Sequence, residues 1–284
     1  MSLLVKIAKL YVRFVFREGE YDAKKTQEDF NVPNPPRGIA GRCELVEHRD
    51  IRAFWIDKAN SDRGVLVYLH GGAFYFGPVK EHWDYFARVC KQAKMAGLLI
   101  DYGIAPQHPF PVGLNEIVEL VSTLGLPDNW SFLGDSSGAG MAVSACFKLR
   151  EMGKTLPKKL VLMSPWVDAA LQNPDIELNK HEDVMMTVER LSAAARDYVG
   201  DADLTDPLIS PMFGDLTDLP PTLIQMGTAD LLLSDCRKFY QKCLDAGVDV
   251  RYEEFPDCFH DFMMLSILPE AHRALRSQVE FLRS

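Results

Sequence analysis

The stretch Trp130-Ser-Phe-Leu-Gly-Asp-Ser-Ser-Gly-Ala-Gly140 decides how this chain is read. Trp130 to Leu133 is a short apolar run of the kind that forms a buried strand, and the small residues from Ser137 to Ala145 open a helix. Between them Gly134-Asp-Ser-Ser-Gly138 fits G-x-S-x-G. That spacing serves a sharp turn from strand to helix. Glycines two positions either side of the serine let neighbouring backbone approach, leaving the Ser136 hydroxyl at the tip and the Ser137 N–H aimed above it. A glycine-rich strand–helix turn can also hold phosphate, so the pentapeptide alone does not settle the chemistry.

Working outward, apolar strands and helices alternate from Gly64 onward, which marks a mostly parallel sheet. Strands are expected at Val65–Leu69, Ala96–Asp101, Trp130–Leu133, Leu160–Met163, Thr222–Met226 and Val250–Glu254. Helices are expected at Lys80–Lys94, Leu114–Leu124, Ser137–Met152, Ser234–Ala246 and Pro269–Leu282. Two further strand-like runs, Cys43–Glu47 and Ile51–Asp57, precede the alternation, after a proline-rich linker from Asn31 to Gly38. Residues 165–220 separate two strands by far more than a crossover requires and contain a helical run, Thr187–Val199; an insertion of that length covers a site. The expected organisation is a core of 42–164 and 221–284, an inserted cap segment at 165–220, and an N-terminal lid and linker at 1–41.

His70-Gly-Gly-Ala-Phe74 follows the strand Val65–Leu69 directly. Taken alone it is an ordinary Gly-Gly turn. Beside a serine turn in the same sheet it becomes an oxyanion hole, with N–H groups among Gly71, Gly72 and Ala73 completed by Ser137. A serine nucleophile needs a base and the base an orienting carboxylate. Of the seven histidines, His260 lies after the last strand, at the carboxyl edge where open α/β folds place their chemistry. His70 belongs to its own turn and braces it, while His48, His82, His108, His181 and His272 fall outside the loops after the last strands. For the acid, Asp230 follows the strand Thr222–Met226, and the order Ser136, Asp230, His260 is that of the hydrolase fold. Asp235 is the rival, but it falls in the next helix, where a first-turn carboxylate suits the helix dipole.

Composition narrows the classes. At 284 residues, 47% apolar and net charge −9, the chain has ample core and no basic surplus for nucleic acid. Its six cysteines lack CxxC spacing, which suits free thiols in a reducing cytoplasm rather than disulfides or a metal site. No run is long and apolar enough to span a membrane. Met1 to Arg17 looks at first like a signal peptide, but Lys6, Lys9, Arg13 and Arg17 interrupt it and no cleavage site follows. On a helix those four bases share one face, and Leu3, Leu4, Ile7, Leu10, Tyr11 and Phe14 share another. Long apolar faces mostly pack internally, so a lid docked on the chain's own body is expected, with a membrane surface as the other reading.

The chain also resembles the hormone-sensitive-lipase-like family of α/β-hydrolases, from about Val65 to the C-terminus. His70-Gly-Gly-Ala-Phe, Asp101-Tyr-Gly-Ile-Ala-Pro-Gln-His-Pro-Phe-Pro111 and Gly134-Asp-Ser-Ser-Gly-Ala-Gly look like the family's HGGGF/W, DYRLAPEHPFP and GDSAGGG elements. Ser164-Pro-Trp-Val-Asp168 and Asp206-Pro-Leu-Ile-Ser-Pro211 are similar to further landmarks. The resemblance implies an α/β-hydrolase fold with a helical cap, and a carboxylesterase with Ser136, Asp230 and His260 as its triad. A small ester substrate and no metal or organic cofactor are expected; a homodimer is left open. There are departures. Gly103 and Gln107 replace the Arg and Glu of an expected ion pair, Ala73 replaces a glycine, and Ser137 replaces an alanine of which only the backbone is needed. Two other readings stand beside the esterase: a ligand-binding protein of the kind some plant hormone receptors make from this family after losing the histidine, here retained as His260, and an amide or formamide hydrolase. Phe74, Tyr75, Phe76, Trp166, Phe259 and Phe262 are expected to wall a bounded pocket suited to short acyl chains, with no exposed apolar platform for an oil interface.

Overall fold

The computed structural model describes residues 3–16 and 21–284. Eight strands form one sheet: β1 Cys43–His48, β2 Ile51–Ile56, β3 Val65–Leu69, β4 Ala96–Asp101, β5 Trp130–Asp135, β6 Leu160–Met163, β7 Thr222–Gly227 and β8 Val250–Phe255. Their order across the sheet is β1-β2-β4-β3-β5-β6-β7-β8. β2 runs antiparallel to β1 and β4, and every other pairing is parallel. This is the α/β-hydrolase arrangement expected from the motifs.

The central strands read as continuous apolar runs because both faces are covered. Alternate residues of β3 show the division: Val65, Val67 and Leu69 enter one core layer, Leu66 and Tyr68 the other. Helices α4 (Val112–Thr123), α5 (Ser136–Glu151) and α7 (Leu233–Asp245) supply the first layer. Helices α3 (Lys80–Ala93) and α8 (Pro269–Arg283) supply the second. The edge strand β1 is only partly buried, and its outward Glu44 and Glu47 keep that edge polar. β4 and β5 flank β3 on opposite sides, so the chain winds outward in both directions from there. The loops after β3 and β5 therefore leave the sheet side by side at their carboxyl ends, where such folds leave a crevice.

Two helices lie before the sheet, α1 (Leu3–Phe16) and α2 (Ala23–Phe30), and α6 (Val188–Val199) lies within 165–220. α2 had no counterpart in the sequence reading, because its segment AKKTQEDF carries no apolar stripe. It is started by Asp22, whose carboxylate accepts the Lys25 N–H at 2.9 Å. Gln27 then reaches the carbonyls of Tyr75 and Ala105 at 2.8 and 3.0 Å. The Tyr21 hydroxyl donates to Asp197 on α6 at 2.7 Å, tying the N-terminal segment to 165–220.

α1 departs from expectation in which face it buries. The small residues Val5, Ala8 and Val12 are the ones packed into the body. The large apolar residues expected to dock point away: Leu3, Ile7, Leu10, Tyr11 and Phe14 are between 54% and 75% exposed. The small side chains permit close approach, and Lys9 on the same side pairs with Glu182 at 3.7 Å. Of the four bases, Arg17 lies outside the described residues, as do Met1, Ser2 and residues 18–20.

Candidate active site

β5 ends at Asp135 and α5 begins at Ser136 with no loop between them. The turn is taken by Ser136 itself, at φ 50°, a left-handed conformation that costs a non-glycine residue strain and is kept where function demands it. The flanking glycines are required by space. A Cβ on Gly134 would stand 2.7 Å from the Gly138 carbonyl, and one on Gly138 would overlap the carbonyls of Leu69 and His70. As the first residues of α5, Ser136 and Ser137 carry amides with no partner inside the helix, at its positive end.

The loop after β3 is held by the Asp135 carboxylate. One oxygen accepts the Tyr68 hydroxyl at 2.5 Å; the other accepts the Gly71 N–H at 2.9 Å and faces His82 Nε2 at 3.2 Å. His82 Nδ1 accepts the Val79 N–H at 3.0 Å, so the ring proton belongs on Nε2, towards Asp135. Burial raises the Asp135 carboxyl, but His82 and Tyr68 outweigh it and hold it below the usual range. Gly71, expected among the oxyanion donors, thus already donates to Asp135 and is corrected out of that set. Gly72 and Ala73 remain, and both line the cavity that holds Ser136. Ala73 and Phe74 take positive φ, 49° and 67°, and the Phe74 N–H donates to the Ser137 hydroxyl at 3.2 Å. The serine that stands for the expected alanine therefore braces the loop with its side chain. His70 is a brace as expected: it is buried, contacts the Gly71 carbonyl at 2.7 Å and stacks on Tyr102 at 4.3 Å. Burial, then His82, pushes it down to about 3.

His260 and Asp230 meet. Nδ1 lies 2.9 Å from Asp230 Oδ2, both groups being buried. Asp230 Oδ1 accepts the Leu232 N–H at 2.9 Å, fixing the carboxylate against the ring. Asp235 sits in the first turn of α7 and bonds Asn173 at 2.7 Å, away from His260. The third contact is not made in this state. His260 Nε2 faces Asp261 Oδ2 at 3.2 Å, and among the described residues no hydrogen bond joins the ring to Ser136. Burial lowers the imidazole, but the carboxylates of Asp261, Asp230 and Asp183 together lift it to about 10. The Asp261 carboxyl is itself pushed well above the usual range, by burial first.

Ser136, His260 and Asp261 share a cavity of about 290 Å³. Its walls include Tyr75, Phe76 and Phe259, as expected; Tyr11, Val12 and Phe30 from the N-terminal segment; and Met185, Met186 and Leu191 from 165–220. Phe74, Trp166 and Phe262 are not among them. Phe74 stacks on Tyr198 at 4.0 Å and lies 5.1 Å from Trp166, and Phe262 packs on Phe255 at 4.9 Å. Among the described residues no group of three or more His, Cys, Asp or Glu is placed to hold a metal ion.

Five residues of the site are not among those expected from the sequence. Asp135 occupies the free position of G-x-S-x-G, which the motif leaves undefined. His82 precedes the loops expected to carry the base, yet α3 carries it back under the β3 loop. Asp183 accepts the Leu231 N–H at 2.7 Å and the Met185 and Met186 N–H groups at 2.7 Å, joining 165–220 to the Asp230 loop. Asn179 does the same through the carbonyls of Thr228 and Asp230, at 3.2 and 2.7 Å. Only Asp261 carried a sequence signal, as the acid next to the chosen histidine.

A family model described as the α/β-hydrolase fold matches residues 66–264. An acetyl-hydrolase of Streptomyces hygroscopicus is 34% identical over 281 residues, covering 94% of this chain and 91% of that one. An esterase of Acinetobacter venetianus is 32% identical over 255 residues, covering 88% and 84%. An esterase of the bacterial hormone-sensitive lipase family superposes with TM-score 0.90 at 28% identity, over 100% of this chain and 98% of that one. The esterase EstE5, in a crystal soaked with p-nitrophenyl butyrate, gives 0.90 at 26%, over 100% and 98%. The fold and the site thus define an α/β-hydrolase. Within that class, this chain belongs to the hormone-sensitive-lipase-like family and is a carboxylic ester hydrolase.

Proposed function

We propose that the chain hydrolyses small, short-chain acyl esters through an acyl-enzyme, with Ser136 as nucleophile, His260 as base and Asp230 as its orienting acid. His260 takes the proton of Ser136 as the hydroxyl attacks the ester carbonyl, and Asp230 holds the ring tautomer and offsets its charge. The tetrahedral oxyanion rests on N–H groups of Gly72, Ala73 and Ser137. His260 then protonates the departing alcohol, and water repeats the sequence on the acyl-enzyme. For the first transfer Nε2 must exchange Asp261 for Ser136, a rearrangement in keeping with catalytic hydrogen bonds that tighten only when substrate is bound.

One observation carries the reading. A buried His260–Asp230 pair at 2.9 Å opens into the same cavity as a serine held in left-handed geometry at a helix start. Residues 1–41 and 165–220 act as the cap, since both contribute wall to that cavity. Six free cysteines, five of them buried, support a reducing cytoplasm as the setting. Ser136→Ala tests the reading. Hydrolysis of p-nitrophenyl butyrate should fall by about four orders of magnitude or more, with the melting temperature kept, and a fluorophosphonate should label Ser136 in the unaltered chain. Residual activity above about one per cent, or label on another residue, would place the nucleophile elsewhere.

A further inference from the structure

We infer that α1 is a membrane-adsorbing helix whose outward face lies on an anionic lipid surface and brings the mouth of the cavity to that surface. The inference goes beyond the esterase reading, because adsorption requires no turnover.

Three observations carry it. First, the face turned to solvent is the apolar one. At 100° per residue, Leu3, Leu4, Ile7, Leu10, Tyr11 and Phe14 fall in one arc of roughly 120°. All are exposed, from 41% for Leu4 to 75% for Phe14. The opposite side is already docked through Val5, Ala8 and Val12, so the chain's own body does not cover the arc. A continuous arc of this size on a helix surface marks an interaction site rather than scattered surface residues.

Second, the charge beside the arc selects the occupant. In a chain of net charge −9, the run Leu3–Phe16 contains Lys6, Lys9 and Arg13 and no acid. Lys6 and Arg13 are exposed on one edge of the arc, where long stems can carry cationic heads to phosphate level while the apolar residues enter the acyl boundary. A second copy of the chain fits poorly. In a contact between two α1 helices neither copy brings an acid to pair Lys6 and Arg13, because Leu3–Phe16 contains none. Anionic headgroups supply that partner.

Third, the arc runs into the cavity. Tyr11 belongs to the exposed face and also lines the cavity that holds Ser136, next to Val12. A tyrosine at such a boundary is placed as aromatic residues are at membrane interfaces, apolar body inward and hydroxyl at the headgroups. Adsorption through this arc puts the cavity's rim against the lipid, from which amphiphilic esters can enter.

Flotation of the intact protein with phosphatidylcholine vesicles, with and without phosphatidylglycerol, tests the inference. The protein should rise with the phosphatidylglycerol vesicles and do so less as salt increases. Leu10→Asp/Phe14→Asp, altering exposed residues that lie outside the cavity wall, should cut that binding by about tenfold or more while the circular dichroism and melting temperature stay put. Lys6→Glu/Arg13→Glu should abolish the preference for the anionic vesicles, and Ser136→Ala should bind as the unaltered chain does. Failure of the unaltered chain to rise with the anionic vesicles overturns the inference, as does unchanged binding of the double aspartate variant. So does a concentration-dependent dimer in sedimentation velocity that the aspartates dissolve, which would assign the face to a second copy.

Discussion

His260 faces a carboxylate from each of its nitrogens, and the two do different work. Asp230 on Nδ1 fixes the tautomer a base needs. Asp261 on Nε2 stabilises the protonated ring at the atom that must be vacant to receive a proton. Burial pulls the imidazole down, yet the acids around it outweigh burial and lift it above its ordinary value, to about 10. The sign then follows. Activity rests on the neutral ring, so kcat/KM should climb through neutral pH into the alkaline range. Stability moves the other way. A histidine whose folded value exceeds its ordinary value of 6.5 stabilises the fold fully below about 6.5 and loses that contribution as pH rises through about 10. Asp261→Asn removes one of the raising charges and should move the acidic limb of kcat/KM about one pH unit or more towards acid. A pH–rate profile on a water-soluble ester checks this. A limb that does not move would mean that another group sets it.

The elbow between β5 and α5 was legible residue by residue, because its spacing is dictated by backbone contact that only glycine permits. Gly138 is the clearest case, since its α-hydrogen side faces the carbonyls of Leu69 and His70 at the end of β3. Gly138→Ala should therefore push α5 off β3 and lower stability by about 1–3 kcal/mol or more, seen as a melting temperature lower by about several degrees. Gly41→Ala, which meets nothing within 4 Å, should change it little. Equal melting temperatures for the two variants would mean that the turn relaxes at no cost. Other elements were less legible, for physical reasons. β3 through β7 were placed within a residue or two, since buried parallel strands have an apolar composition that few other segments share. α2 was missed because its stability comes from a cap and from Gln27 reaching distant carbonyls, neither of which leaves a periodic trace. The orientation of α1 was inverted because apolar content does not reveal which face is turned inward; the buried side was chosen by small residues that allow close approach. Gly71 shows the same limit on a smaller scale. Its N–H lies in the oxyanion loop as read, but only the fold reveals that Asp135 takes it.

At the scale of the whole molecule, the size of the cavity and the character of the surface make separate demands on a substrate. On the proposals above, the outward face of α1 governs how esters reach the protein, while the room in the cavity limits which acyl groups react. Its apolar walls include Tyr75, Phe76 and Phe259 from the core and Met185, Met186 and Leu191 from 165–220, around about 290 Å³. While a growing acyl chain still finds apolar wall, each methylene gains about 0.8 kcal/mol, close to fourfold in kcat/KM if it is realised in the transition state. Once the space is filled, a further methylene must displace packed side chains at about 1–3 kcal/mol. The paired methionines soften that limit, because their unbranched chains adapt to an occupant more readily than aromatic rings do. The profile over p-nitrophenyl esters should accordingly rise from acetyl to butyryl or hexanoyl and fall steeply by decanoyl. Leu10→Asp/Phe14→Asp should leave that maximum in place on monomeric substrate, because neither residue lines the cavity, and should lower only the gain that anionic vesicles give to amphiphilic esters. A series from acetyl to hexadecanoyl, run with and without vesicles for both proteins, separates the two demands. A maximum at dodecanoyl or longer would show that the cavity opens into a channel, and a maximum that shifts with the double aspartate variant would mean that α1 itself forms the acyl site.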